Sequence, residues 1–248
     1  MSKHRPVETP TPGTVVLISA NAEWREVRAY FPHRVVSVSP WGEYFVVSLD
    51  VGSRQETVLF FQGGWGKIAA AASAQYVIDH WLASGGDGSL MVNLGTCGGF
   101  EGEVERGTVM LVDRTLVYDI IEQMSDYDDA LEHYATALDL SWLHEPYPHP
   151  VVRGLLVSAD RDLRAEDIPW LAARFGAVAG DWESGAIAHV AWRNRTPCLI
   201  LRGVTDLVGS TGGEAYAEGG GIAVYHAATH RVMRHLLDHL PGWLACAR

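Results

Sequence analysis

Ala179-Gly180-Asp181-Trp182-Glu183-Ser184-Gly185-Ala186-Ile187-Ala188, followed by Cys198-Leu199-Ile200-Leu201-Arg202-Gly203-Val204-Thr205-Asp206, is the stretch whose reading decides the fold. Its first half sets Asp181 and Glu183 two residues apart, ahead of a run of small residues with helical character. Its second half opens on the apolar run 198–201, with the length and bounding of a buried strand. That strand delivers Asp206 at its carboxyl end, where open α/β sheets form their ligand crevices. A carboxylate pair at a helix start and a single carboxylate past a strand make an acid-and-sugar-binding constellation. Taken singly, Asp181 reads better as a helix cap and Asp206 as a turn residue; taken together they are harder to dismiss.

Upstream, the same alternation of strand and helix recurs. Residues 14–20 (Thr-Val-Val-Leu-Ile-Ser-Ala) form a β-branched, apolar run expected to be a buried first strand. Asn21 then offers a cap to a helix over 22–31, which carries Glu23 and Glu26 one turn apart near its positive end. Pro32 ends that helix, and residues 35–38, 43–49 and 57–61 read as a meander. Gln62-Gly63-Gly64-Trp65-Gly66-Lys67 is a glycine-rich turn into an Ala-rich helix over 68–82. It lets a backbone approach a ligand closely, but it matches neither a Walker A loop nor a dinucleotide fingerprint. Residues 89–95 form another buried strand, and Thr96-Cys97-Gly98-Gly99 reads as a second glycine-rich turn. Further strands are expected at 109–112, 116–118 and 153–158, and a short helix at 168–175. The acidic, aromatic and Pro-rich segment 120–150 is irregular, which inside a compact domain marks function or an interface. A final helix over 222–240 is expected to stop at Pro241-Gly242. Without repeats or low-complexity linkers, this order favours one three-layer αβα domain over 14–248 with a mixed central sheet.

Composition bounds the function. A formal charge of −11 with no basic run argues against nucleic-acid binding. No apolar run reaches membrane-spanning length. Residues 1–13 are polar and Pro-rich without an apolar core, so a loose tail is expected rather than a signal peptide. The three cysteines, Cys97, Cys198 and Cys246, lie far apart and fit reduced thiols of a cytoplasmic protein. The four histidines between His133 and His189 have no H-E-x-x-H or H-x-H spacing, so metal ligation is not expected, nor is a cofactor.

Taken in order, these pieces resemble the nucleoside phosphorylase/hydrolase superfamily, and within it the methylthioadenosine/S-adenosylhomocysteine nucleosidases. Gly64-Trp65-Gly66-Lys67-Ile68-Ala69-Ala70 resembles that family's S-G-I-G-K-V-A-A turn, and residues 93–99 resemble its N-T-G-S-A-G-G. Residues 181–188 are similar to V-E-M-E-G-A-A-I-A, residues 202–206 to R-x-I-S-D, and Glu26-Val27 falls on the first-helix Glu-Val. The resemblance implies cleavage of a purine N-glycosidic bond, which needs a proton on the leaving base and stabilisation of an oxocarbenium-like sugar. It assigns Asp206 as general acid with Thr205 orienting it, and Glu26 as holder of the attacking water, with Glu23 the weaker candidate. It assigns Glu183 to the ribose hydroxyls, Trp182 to the sugar face, Asp181 to the same wall, and the backbones of Gly66 and Thr96 to the sugar and water side.

The resemblance also frames the choice between water and phosphate. Hexameric phosphorylases carry arginines where this chain has Asn93 and the Ala20-Asn21-Ala22-Glu23 loop, and without those clamps hydrolysis is favoured. A phosphorylase with other phosphate contacts, or a non-catalytic nucleoside-binding relative, are the alternatives. Two departures bear on the substrate. Asp162, ahead of Leu163, replaces the aromatic residue that stacks on adenine, and residues 118–124 replace R-Y-H-D. Arg161 stacking on the base, or Asp162 bonding a base amino group, would compensate. A homodimer is expected, with Ile120, Ile121, Met124 and Tyr127 near the partner's sugar 5′ end.

Overall fold

The computed structural model describes residues 12–83, 89–124, 126–216 and 221–247; the tail expected at 1–13 thus falls almost wholly outside the described residues. Strand β1 (Thr14–Ile18) is buried along its whole length because it has parallel neighbours on both sides, β4 (Arg54–Gln62) and β5 (Leu90–Phe100). Beyond β4 the sheet ends in the antiparallel meander of β3 (Gly42–Val51) and β2 (Ser37–Ser39).

On the other side the sheet closes on itself. Strand β5 pairs with β9 (Ala177–Asp181), β9 with β8 (Val152–Ser158), and β8 with β6 (Val109–Val117). Strand β6 also holds the short β7 (Ala135–Ala137). Strand β10 (Cys198–Gly209) then pairs with β6 on one edge and returns to β5 on the other, with β11 (Gly212–Gly213) at its end. Five strands therefore form a ring at the edge of an otherwise open mixed sheet.

Alternation along the central strands separates two cores. Val16 and Ile18 of β1, with Leu199 and Leu201 of β10, face α1 (Asn21–Tyr30) and α6 (Gly221–Cys246). Val15 and Leu17, with Cys198 and Ile200, face α2 (Lys67–Val77) and α5 (Ser184–Asn194). A third cluster, including Phe100, Tyr118, Val157 and Leu171, packs under α3 (Tyr127–His133) and α4 (Ile168–Phe175). Helices on both faces of a mixed sheet are the expected three-layer arrangement. No described helix is long and apolar enough to cross a membrane.

Several local expectations differ from the structure, beginning with the stretch 120–150, expected to be irregular, which carries α3 and β7. Residues 96–99 are strand rather than turn, because Gly98 and Gly99 pair with both β9 and β10. Asp206 lies inside β10, beside a register shift between Val204 and Asp206, so a bulge aims it rather than a strand end. Asn21 is the first residue of α1 instead of its cap, and its Oδ1 accepts from Gln62 Nε2 at 2.7 Å. Pro241 does not stop α6: the core under α1 and α6 holds Leu240, Trp243 and Leu244 in place around it, and that burial offsets the lost backbone bond.

Candidate active site

A cavity of about 870 Å³ opens at the bulge, where α1, β5, β9, β10 and the loops after β4 and β8 converge. Asp206, Thr205, Glu183, Trp182, Asp181, Thr96, Asp162, Leu163 and Glu23 all line it. Glu26 does not. The physical reason lies in the start of α1. Glu23 is the third helical residue and turns back to accept the Ala20 N–H at 3.2 Å, which aims its carboxylate at the strand ends. Glu26, one turn further along, points to α6 and takes a bond from His230 Nδ1 at 2.6 Å. The water-holding role expected for Glu26 therefore has no support in this geometry, and Glu23 is the acid that faces the cavity.

Glu23 is 2% exposed. Its Oε1 accepts from Thr96 N–H at 2.6 Å and from Thr96 Oγ1 at 2.9 Å. Burial raises its pKa, while Arg202 and the Thr96 donors oppose the rise. Gly66 is not on the cavity wall either: with φ +84, a value favouring glycine, its N–H donates to Glu183 Oε1 at 3.0 Å, so it holds the acid rather than a ligand. Glu183 is pushed up to about 8, first by burial and then by the neighbouring Asp181. Asp181 is a positioning acid. It accepts from Ser158 Oγ at 2.6 Å, from Ser184 Oγ at 2.5 Å and from the Ser184 N–H at 3.1 Å, capping the start of α5.

Sequence reading gave Arg202 no role, yet it organises this wall. Its side chain is 1% exposed, and it pairs with Asp181 Oδ2 at 3.0 Å and faces Glu23 Oε1 at 3.7 Å. It also donates to Asn93 Oδ1 at 2.7 Å and to Ser184 Oγ at 2.9 Å. A glycine is required where these groups meet: a Cβ on Gly95 would stand 1.9 Å from Arg202 Nη1 and 2.8 Å from Glu23 Oε1. The signal was present, since a cation inside an apolar strand run must find carboxylate partners. Asn93 is likewise internal, donating to the Leu17 carbonyl at 2.9 Å.

The opposite wall is simpler. Asp206 Oδ1 accepts from Thr205 Oγ1 at 2.6 Å. Burial raises the Asp206 pKa, and the Thr205 bond only partly counters it. Beside it Asp162 takes a bond from the Tyr216 hydroxyl. Arg161 reaches the cavity but is tied to Asp167 at 2.9 Å and lies over the Tyr118 ring, 5.1 Å from its centre. The aromatic surface comes instead from Trp182 and Trp65, whose rings lie 5.4 Å apart and tilted. Trp65, Tyr216 and Tyr225 were not singled out from sequence; they enter the cavity from loops and a helix start that carry no periodicity. Arranged this way, the cavity holds one protonatable acid facing an aromatic-walled space and a second acid network able to bind hydroxyls and water.

Known proteins share this framework. Two sequence relatives are 5′-methylthioadenosine/S-adenosylhomocysteine nucleosidases. That of Colwellia psychrerythraea is 23% identical over 65% of this chain and 71% of its own. That of Haemophilus influenzae is 28% identical over 60% and 68%. Solved structures of such nucleosidases superpose over nearly the whole length. The Campylobacter jejuni protein has a TM-score of 0.70 at 15% identity, covering 93% of this chain and 99% of its own. The Neisseria meningitidis protein in complex with methylthio-immucillin-A has a TM-score of 0.68 at 16% identity, covering 94% and 98%. The family model described as the phosphorylase superfamily matches residues 14–236, and the chain belongs to that superfamily.

Proposed function

We propose that this protein is a purine nucleosidase that hydrolyses the N-glycosidic bond of a 5′-modified adenosine, such as methylthioadenosine or S-adenosylhomocysteine. The observation that carries this is the meeting of Asp206, Glu183 and Glu23, from three distant segments, in one aromatic-walled cavity. Asp206, whose pKa burial raises, gives its proton to N7 of the purine as the bond to the sugar breaks and its electron pair leaves with the base. Glu183 accepts bonds from the ribose hydroxyls, which strengthen as the ring gains positive charge. Glu23 holds the water that attacks the anomeric carbon and takes its proton; a carboxylate raised by burial is a better acceptor than one in water. Trp182 and Trp65 offer flat apolar surface, and Asp162 accepts a bond from an exocyclic amino group of the base.

Water is favoured over phosphate because the cavity offers phosphate no uncommitted arginine among the described residues. Arg202 is held by Asp181, Glu23 and Asn93, and Arg161 by Asp167. The test is incubation with a panel of purine nucleosides, with and without phosphate, and analysis of both products. Free base and free sugar at a phosphate-independent rate are expected. Saturable activation by phosphate with release of sugar 1-phosphate would establish the phosphorylase reading instead.

A further inference from the structure

Helix α6 carries a second group of side chains remote from the cavity. His235 and His239 are four residues apart, which places both imidazoles on one helix face. His149, from the loop ahead of β8, meets them there. Ring centres lie 4.3 Å apart for His235 and His239, 4.6 Å for His149 and His235, and 4.9 Å for His149 and His239. One ring nitrogen from each lies within 4.8 Å of the other two. Two of the rings are oriented by backbone carbonyls: His149 Nδ1 donates to Pro150 O and His239 Nδ1 to His235 O, each at 2.9 Å. Both therefore keep Nε2 as the lone-pair nitrogen, the arrangement by which a carbonyl fixes the tautomer of a metal-ligating histidine. The indole N–H of buried Trp243 donates to His149 Nε2 at 3.1 Å, which marks the same nitrogen as the acceptor.

We propose that His149, His235 and His239 form a binding site for a single divalent transition-metal ion of the zinc or nickel class. An all-imidazole set selects such ions over calcium or magnesium, which require oxygen ligands. The nearest acid on the helix, Asp238, accepts instead from Tyr30 at 2.8 Å. Three nitrogens around a tetrahedral zinc stand about 3.4 Å apart, given Zn–N bonds of about 2.0–2.1 Å. Rotation of the solvent-exposed His235 ring closes the set, and His149 Nε2 exchanges the indole N–H for the ion. Bound metal ties the segment before β8 to the last turns of α6, where Tyr147 and Pro148 already pack on Trp243 and Gly242.

The experiment is calorimetric titration of the full-length, untagged, chelator-treated protein with zinc and with nickel, and with magnesium as control. One ion per chain is expected, with no magnesium heat. His235→Gln and His239→Gln should each weaken binding by about tenfold or more. Bound zinc should raise the melting temperature of the wild type and not of the variants. None of the three histidines lines the cavity, so nucleoside cleavage by metal-free protein should be unchanged. His235 is exposed, so His235→Gln should melt like the wild type without metal, and its loss of binding then reports ligation rather than misfolding. Absence of binding, or equal affinity in wild type and both variants, overturns the proposal.

Discussion

At one end of the cavity Glu23, Asp181 and Glu183 crowd around the single guanidinium of Arg202. At the other, Asp206 sits at a strand bulge with a hydroxyl neighbour and no ion pair among the described residues. Burial raises both Glu23 and Glu183, Asp181 adds to the rise at Glu183, and the one cation only opposes it within this cluster. Its hydrogen bonds nonetheless fix every side chain, and such a wall suits holding a sugar and a water in one geometry. Asp206 has a different kind of surroundings. Burial is the main cause that raises it and Asp162 adds to the rise, while the Thr205 and Ala215 bonds and Arg106, itself paired with Glu214, pull the other way. A proton held by desolvation is released when a better acceptor arrives, which is the property a general acid needs. On the proposed reading the crowded end holds the sugar and the attacking water, whose proton Glu23 takes, while the Asp206 end gives a proton to the leaving base.

The sharpest way to break that division is Asp206→Asn. It should lower kcat by about two to four orders of magnitude with little change in KM, because proton donation is lost while binding remains. Steady-state kinetics with the best substrate of the nucleoside panel measures it, and wild-type turnover would remove Asp206 from the mechanism. Next in size, Glu23→Gln should cost about two to three orders of magnitude in kcat. Glu26→Gln, outside the cavity and paired with His230, should leave kcat near wild type. The opposite order would restore the role that sequence gave to Glu26.

That reversal shows what was legible and what was not. The strands were readable because short, mainly apolar runs at 14–18, 90–94 and 198–201 have few other interpretations. Glu23 and Asp206 were readable because they come after the first and last of those runs, and Asp181 and Glu183 because they stand together ahead of a helix. Choosing between Glu23 and Glu26 needed the starting residue of α1, and a shift of one residue in a helix start rotates its side chains by about 100°. Helix ends are among the least certain features of a sequence. The role of Arg202 is not legible in the sequence, since its partners Glu23, Asp181 and Asn93 lie on three other segments. The bulge beside Asp206 was invisible for a similar reason: it is a property of pairing with β5, not of the local residues.

A subtler test bears on the crowded end alone. Glu183 moves from an ordinary 4.5 to about 8 in the fold, so between those values the native state binds a proton that the unfolded chain has released. Stability of the unliganded protein should therefore fall as pH rises through that window. The slope contributed by one such group reaches about 1.4 kcal/mol per pH unit at its steepest. Glu183→Gln removes the titration, so its melting temperature should depend less on pH between 5 and 8 than that of the wild type. Parallel curves for the two proteins would mean that Glu183 is ionised in the fold.

The smallest expected effect lies outside the cavity, in the segment 120–127, described except for Ser125. Ile121 is 76% and Met124 98% exposed, two large apolar side chains close together on an acidic surface. Such exposure suits a covered face better than a solvated one, and we take it as the contact between two copies of this chain, placed so that Met124 reaches the partner's sugar 5′ end. The flexible thioether of Met124 would then line the space for a 5′-alkylthio group. Met124→Lys should keep activity toward nucleosides with a free 5′-hydroxyl and lose preference for apolar 5′ groups by less than about tenfold, the scale of one or two methylene contacts in a pocket. Light scattering at assay concentration should give a dimer. A fully active monomer, or a dimer whose Met124→Lys variant discriminates as the wild type does, would move the 5′ wall back into the single chain, where Ile222 and Tyr225 already border the cavity.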